Sequence, residues 1–451
     1  MGRLTGRWIR GAMLAPLSLL LMGMAQAQES DIAERLAALE EAVAGSASSY
    51  VDNSYLFLIG GLIVMFMAAG FCMLEAGLVR SKNAAMQVTK NVSLFAVAGL
   101  MFWAVGYSMA YPDAFIADFI GITPGPWDAG DTSIESEDGY APASDWFFQM
   151  VFVATAASIV SGTVAERVKL FPFLIFTAVL TALIYPVVAG ITWGGGYLAE
   201  TWGFSDFAGS TIVHSTGGWA ALIGAILIGA RKGKYFGKQV HPMPGSSIPL
   251  AALGTFILWF GWFGFNGASE LAAGTAESIN NVSKIFANTN MAAVGGVLSA
   301  LILTAVLYKG KVDATMVFNG AIGGLVSITA EPLAPSMGMS VLIGAVGGVL
   351  VVLTVPLLDK FKIDDVVGAI PAHLVCGIWG TLAVVISNGD ATIVGQLVGI
   401  VVVAVWVLAT SAIIWYILKL TLGLRPSEED EQLGLDRAEI GLEAYPEFSA
   451  R

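Results

Sequence analysis

The 451-residue chain is 56% hydrophobic and 12% charged, with a mean hydropathy of +0.75. Soluble domains carry about 25% charged residues, so a water-exposed globule is excluded and hydrocarbon is the solvent for most of the chain. The formal net charge of −12 sits mostly in three hydrophilic stretches, and no basic patch interleaved with aromatics suggests nucleic acid.

The first element reads as a leader. Arg3, Arg7 and Arg10 precede an apolar run from Met13 to Met24, which ends at Ala25-Gln26-Ala27. A charged head, a short apolar core and small residues at the exit form a secretory signal, cleaved after Ala27. Residues 28–53 then form an outer, periplasmic segment. Within it, Ile32, Leu36, Leu39 and Val43 lie at coiled-coil spacing. Two heptads read either as an exposed helix or as a small self-association element.

Eleven apolar spans follow, at about 54–79, 87–111, 146–166, 170–192, 208–230, 248–268, 285–308, 313–330, 338–358, 366–387 and 392–421. Each reaches the length needed to cross a bilayer. The fold class is therefore all-α and polytopic, with a transmembrane domain at 54–422 and a C-terminal tail at 423–451. Arg80/Lys82, Arg167/Lys169, Arg231/Lys232/Lys234/Lys238, Lys309/Lys311 and Lys360/Lys362 all fall on one side, whereas 112–145 has no Lys or Arg. Basic loops stay in the cytoplasm, so the N-terminus is periplasmic and the C-terminus cytoplasmic. An odd span count requires the same.

An internal repeat surrounds the two intramembrane histidines. Asp206, Gly209, His214 and Gly218 share the pattern D-x2-G-x4-H-x3-G with Asp365, Gly368, His373 and Gly377. Five spans separate the copies, so they enter the membrane from opposite faces, as in inverted five-helix repeats whose substrate site lies near the midplane. An ionisable group in hydrocarbon is expensive and marks a pathway more often than not. Dry surroundings disfavour a charged imidazole, and two neutral rings offer both a donor and an acceptor to a small polar solute or a proton. Glu75 in the first span is a further buried acid, which either pairs with a neighbouring helix, the favoured reading, or takes part in proton handling. Cys72 and Cys376 lack metal-ligand spacing, and no nucleophile–base arrangement, metal cluster or phosphate loop suggests an enzyme, a metal or a cofactor.

Several long motifs carry a resemblance. The run from Asp206 to His214 and Gly218, Gly70-Phe-Cys-Met-Leu-Glu-Ala-Gly77 with Arg80 and Asn83, Ala165-Glu-Arg167, Trp193-Gly-Gly-Gly196 and Gly261-Trp-Phe-Gly-Phe-Asn266 are similar to those of the ammonium transporter (Amt/Mep/Rh) family, of the Amt type in a divergent bacterial sub-branch. The likeness implies a homotrimer in the bacterial inner membrane that carries ammonium or methylammonium, each subunit holding its own narrow apolar pore. It implies an outer substrate site at Phe148, Trp193 and Ser269, a gate of Phe152 and Phe265, pore histidines His214 and His373, and Asp206 as a structural acid near the site. The tail from Gly423 to Tyr445 resembles the family's cytoplasmic tail, at which a PII-type regulatory protein docks in relatives. Where the family often has Asp five residues before the second histidine and Gly after it, this chain has Gly368 and Leu374, with Pro371 between. A Rh-like neutral gas channel and an ammonium-sensing receptor share much of the likeness; retention of Trp193 favours a site built for a cation over a gas channel.

Overall fold

The computed structural model describes residues 48–123, 125–130 and 139–448, together with Ile32 and Arg35. The leader at 1–27 lies outside the described residues, as does the coiled-coil seam apart from Ile32, which is helical and exposed.

Among the described residues, ten helices are long and apolar enough to cross a membrane: α1 Ser48–Leu78, α2 Ser81–Ala110, α3 Pro142–Thr163, α4 Leu170–Gly190, α5 Ser210–Ile228, α6 Ile248–Glu270, α7 Ala276–Leu307, α9 Met337–Lys360, α10 Ile370–Ser387 and α11 Ile393–Thr421. Between α7 and α9 runs the shorter apolar helix α8, Ala314–Ile328. Together they make the eleven-helix all-α bundle expected from the sequence. At about 1.5 Å per residue α8 spans about 22 Å, short of a hydrocarbon core of about 30 Å. The shortfall is tolerated because α8 faces protein, with Asn319 through Ile328 all buried.

Two helices begin earlier than hydropathy placed them. α1 is already helical at Ser48, and Asn53 accepts from the Ala273 and Gly274 amides at 2.8 and 3.1 Å, which ties this helix to the segment after α6. α7 starts at Ala276, capped by the Thr275 hydroxyl, which accepts from Ser278 N at 3.0 Å. Its first two turns are polar, so a hydropathy window passes over them.

Without a hydrophobic drive between helices in lipid, close backbone approach holds the bundle. A Cβ added at Gly344 would sit 1.9 Å from Ala292 O, one at Gly348 2.2 Å from Gly296 O, and one at Gly296 2.1 Å from Gly320 O. Glycine is therefore required where α7, α8 and α9 touch.

The face carrying Arg80, Arg167 and Arg231 is the basic face; the one carrying 112–123, 125–130 and 139–141 is the acidic face. A short hairpin, β1 Ala114–Ile116 paired antiparallel with β2 Ile120–Ile122, covers part of the acidic face. On the basic face, Glu166 accepts from Arg80 Nε, Asn83 Nδ2 and Arg231 Nη1, and Asp364 accepts from the Arg231 amide and guanidinium at 2.8–2.9 Å. Burial alone would raise the Asp364 carboxyl, yet the bonds from Arg231 and the charge of Arg167 hold it well below the usual carboxylate range. The tail is seated on this cluster. Asp436 caps α2 by accepting from Ala85 N and Met86 N at 3.0 and 2.7 Å, Asn83 Oδ1 accepts from Leu435 N, and Leu424 and Leu435 are buried.

Candidate functional site

Two half-sites meet at the centre of the bundle. In the first, the backbone turns at Gly209 with φ +108°, a left-handed value that side chains rarely adopt, and α5 opens with a wide π-type turn over Ser210–Ser215. Asp206 holds this turn. Its two oxygens accept from the amides of Gly209, Ser210, Thr211 and Ile212 at 2.8–2.9 Å, which satisfies all four orphan donors of the helix start. In the second, Gly368 has φ +80°, α10 opens with a π-type turn over Ile370–Val375, and Asp365 accepts from Gly368 N and Ile370 N at 3.2 and 2.8 Å. The repeated pattern in the sequence is thus one local device, built twice from opposite faces. Each π-type turn carries a histidine.

The two rings meet. Nδ1 of His214 and Nδ1 of His373 lie 3.3 Å apart, with centroids at 5.2 Å, and both side chains are buried. A hydrogen bond between two Nδ1 atoms needs a proton on one and a lone pair on the other, so the pair shares one proton at that contact. The Nε2 of His214 has no hydrogen-bond partner among the described residues.

The residues after the histidines interlock. Gly218 lies against Leu374, where an added Cβ would come within 2.5 Å of the Leu374 Cβ; Gly377 lies against Ser210 O at 2.4 Å and the Ser215 hydroxyl at 2.5 Å by the same measure. Each half's glycine receives the residue that follows the other half's histidine. The departure at Leu374 fits this frame, because Gly218 leaves its side chain room.

On the acidic face a cavity of about 370 Å³ is lined by Phe148, Phe152, Trp193 and Ser269, with Tyr107, Asp145 and Gln149. The Trp193 indole donates to Asp206 O at 2.8 Å, which fixes its plane. Ser269 donates to Phe265 O at 2.8 Å, so its oxygen keeps lone pairs to accept with. Asp145 is buried and accepts from Tyr107 OH at 2.5 Å. From this cavity an aromatic stack leads inward. Phe148 and Phe152 lie 4.7 Å apart; Phe152 and Phe265 stack face to face at 3.9 Å across the path; Phe265 lies 5.2 Å from His214.

Beyond the histidines, a cavity of about 390 Å³ opens on the basic face, walled by Asn319, Asp365, Val367, Gly368 and Pro371 among others. The structure therefore gathers Phe148, Phe152, Trp193 and Ser269 around one cavity, with Phe265, His214 and His373 following in ring contact and Asp206 holding the turn that carries His214. It adds three residues that the sequence reading did not single out. Trp262 stacks on His214 at 4.9 Å and donates to Thr329 Oγ1; Phe71 lies 5.8 Å from His373; Asp145 adds a carboxylate to the outer cavity. Trp262 and Phe71 lay inside quoted motifs, and Asp145 begins a span, so position alone could have flagged them.

A sequence model of the Ammonium Transporter Family matches residues 55–445. The chain is 41% identical to the ammonium transporter Amt2 of Archaeoglobus fulgidus over 423 residues, covering 87% of each. It is 36% identical to the ammonium transporter Amt1 of Haloferax mediterranei, covering 88% of this chain and 80% of that one. Among solved structures, a sensor Amt protein superposes with a TM-score of 0.81 at 34% identity, covering 87% of this chain and 98% of that one. Mep2 of Candida albicans superposes with a TM-score of 0.77 at 25% identity, covering 90% and 92%.

Proposed function

Because the chain belongs to the ammonium transporter family, we propose that it takes up ammonium or methylammonium at Phe148, Trp193 and Ser269, removes a proton, and passes the neutral amine between Phe152 and Phe265 and along His214 and His373. The observation that carries this reading is the 3.3 Å contact of the two imidazoles at the end of an aromatic stack that starts in the acidic-face cavity. A compact cation held against a Trp face gains about 0.5–1 kcal/mol when exposed and about 2 kcal/mol or more when desolvated. An ion moved bare past the stacked rings would lose tens of kcal/mol of hydration by Born estimates. A neutral amine loses far less, so deprotonation at the mouth is the inexpensive route.

The basic face is then cytoplasmic and the acidic face periplasmic, in a bacterial inner membrane, after removal of a signal peptide at 1–27. The working unit is a homotrimer with one pore in each subunit. A PII-type regulatory protein would approach the basic face, where the tail is already seated through Asp436 and Asn83. A transporter rather than a gas channel is favoured by the indole of Trp193 and the carboxylate of Asp145 in one cavity.

Methylammonium uptake in a transporter-deficient strain tests the reading. His214→Ala and His373→Ala each abolish or alter selective uptake, and Trp193→Leu raises the half-saturating concentration by about tenfold, as loss of a partly desolvated cation–π contact implies. Unchanged uptake in both histidine variants would refute the assignment.

A further inference from the structure

Glu75 is buried in α1 and plays no part in the path described so far. Its Oε2 atom is crowded: it accepts from Asn91 Nδ2 and Ser161 Oγ, each at 2.8 Å, and from Gln87 Nε2. A carboxylate that served only as a brace between α1, α2 and α3 would divide such donors over both oxygens. Instead Oε1 has no hydrogen-bond partner among the described residues.

Glu75 lines a small enclosed cavity together with His373, Phe71, Ser158, Gly162 and Asn319. The volume is about 10 Å³, close to the ~10–15 Å³ that a single water requires. Gly162 keeps this space open, because an added Cβ would lie 3.4 Å from Glu75 Oε1 and 2.5 Å from Val367 Cγ2. Asn319 and Val367 wall both this cavity and the large one on the basic face. The other charged group packed nearby is Lys90, whose Nζ donates to Ser161 O at 2.8 Å.

We propose that Glu75 is the acceptor for a proton that leaves the histidine pair. This rests on the transport reading above. A proton adds to the free Nε2 of His214 as the Nδ1–H of His214 passes to Nδ1 of His373; the N–H at Nε2 of His373 then breaks, and a water in the shared cavity takes that proton. That water gives a proton to Oε1, forming the neutral carboxyl. The carboxyl then releases its proton past Asn319 to water in the basic-face cavity, and the carboxylate is restored. No oxidant or further reactant is needed, and net charge crosses with each ammonia.

Wild-type protein, Glu75→Gln and Glu75→Asp are compared in proteoliposomes. Ammonium-evoked current is recorded alongside amine flux, read as uptake of radiolabelled methylammonium, and infrared difference spectra are taken on adding ammonium. The expected result is that Glu75→Gln loses current by about tenfold or more, the scale of a missing positioned acid–base group, while amine flux is kept. Glu75→Asp recovers part of the current, and wild type gives a carboxyl protonation band that Glu75→Gln lacks. Wild-type current in Glu75→Gln would overturn the proposal. So would joint loss of current and amine flux in both variants, which marks a structural brace, or a wild type that carries amine without current. If Glu75→Gln does not fold, absence of the band from wild type alone overturns it. A wild type that carries no amine at all sinks the transport reading instead.

Discussion

The two halves of the pore share a scaffold and differ in their walls. Around His214, the ring is enclosed by Trp262 at 4.9 Å and Phe265 at 5.2 Å, and Asp206 is consumed by four backbone amides. Around His373, the aromatic rings in contact among the described residues are Phe71 and the imidazole of His214, and a buried carboxyl borders the same small cavity. Asp365 is less enclosed, and one of its bonds goes to the Thr163 hydroxyl at 3.1 Å. The difference teaches that the repeat fixes where the histidines stand, whereas the rings and the carboxyl that distinguish the two surroundings lie outside it. One half excludes water with rings. The other leaves a small side cavity bordered by Glu75.

The sharpest way to break this comparison is at the two aspartates. Asp206→Ala strands four buried amides, each costing about 1–3 kcal/mol, and should abolish recovery of folded, monodisperse protein. Asp365→Ala strands two amides and should lower the melting temperature while leaving the protein recoverable. Equal losses would show that the two caps are equivalent and that the asymmetry stops at the scaffold. Thermal unfolding of the detergent-purified variants measures this.

A smaller effect is expected where the halves interlock. Gly218→Ala drives a methyl against Leu374 and should cost about 1–3 kcal/mol, the usual range for overpacking. Adding Leu374→Ala should return part of that loss, because the two side chains then fit the same space. Simple additivity in the double variant, followed by the same unfolding assay, would mean that the two residues are not in contact.

Much of this arrangement was legible in the sequence, for identifiable reasons. The D-x2-G-x4-H-x3-G pattern is readable because a positive-φ glycine, a capping acid and a histidine must keep their spacing to make the turn. Ten helices announced themselves by length and apolarity. The short α8 and the polar first turns of α7 were harder, since burial in protein and hydrogen-bonded caps replace hydropathy there. Glu75 was visible as a buried acid, but no spacing rule could place it beside His373, because the two are joined by packing between α1 and α10. Trp262 was likewise hidden in plain sight. It sits in a glycine- and aromatic-rich helix, where sequence cannot say which ring faces a histidine.

The central claim is that two imidazoles in contact line a path too dry for a bare ion. The most direct measurement compares ammonium-evoked and potassium-evoked currents at equal concentration in proteoliposomes, for wild type and His373→Ala. The account predicts an ammonium response with no potassium response in wild type, and loss of that discrimination in the variant. A wild-type potassium current matching that of ammonium would contradict it.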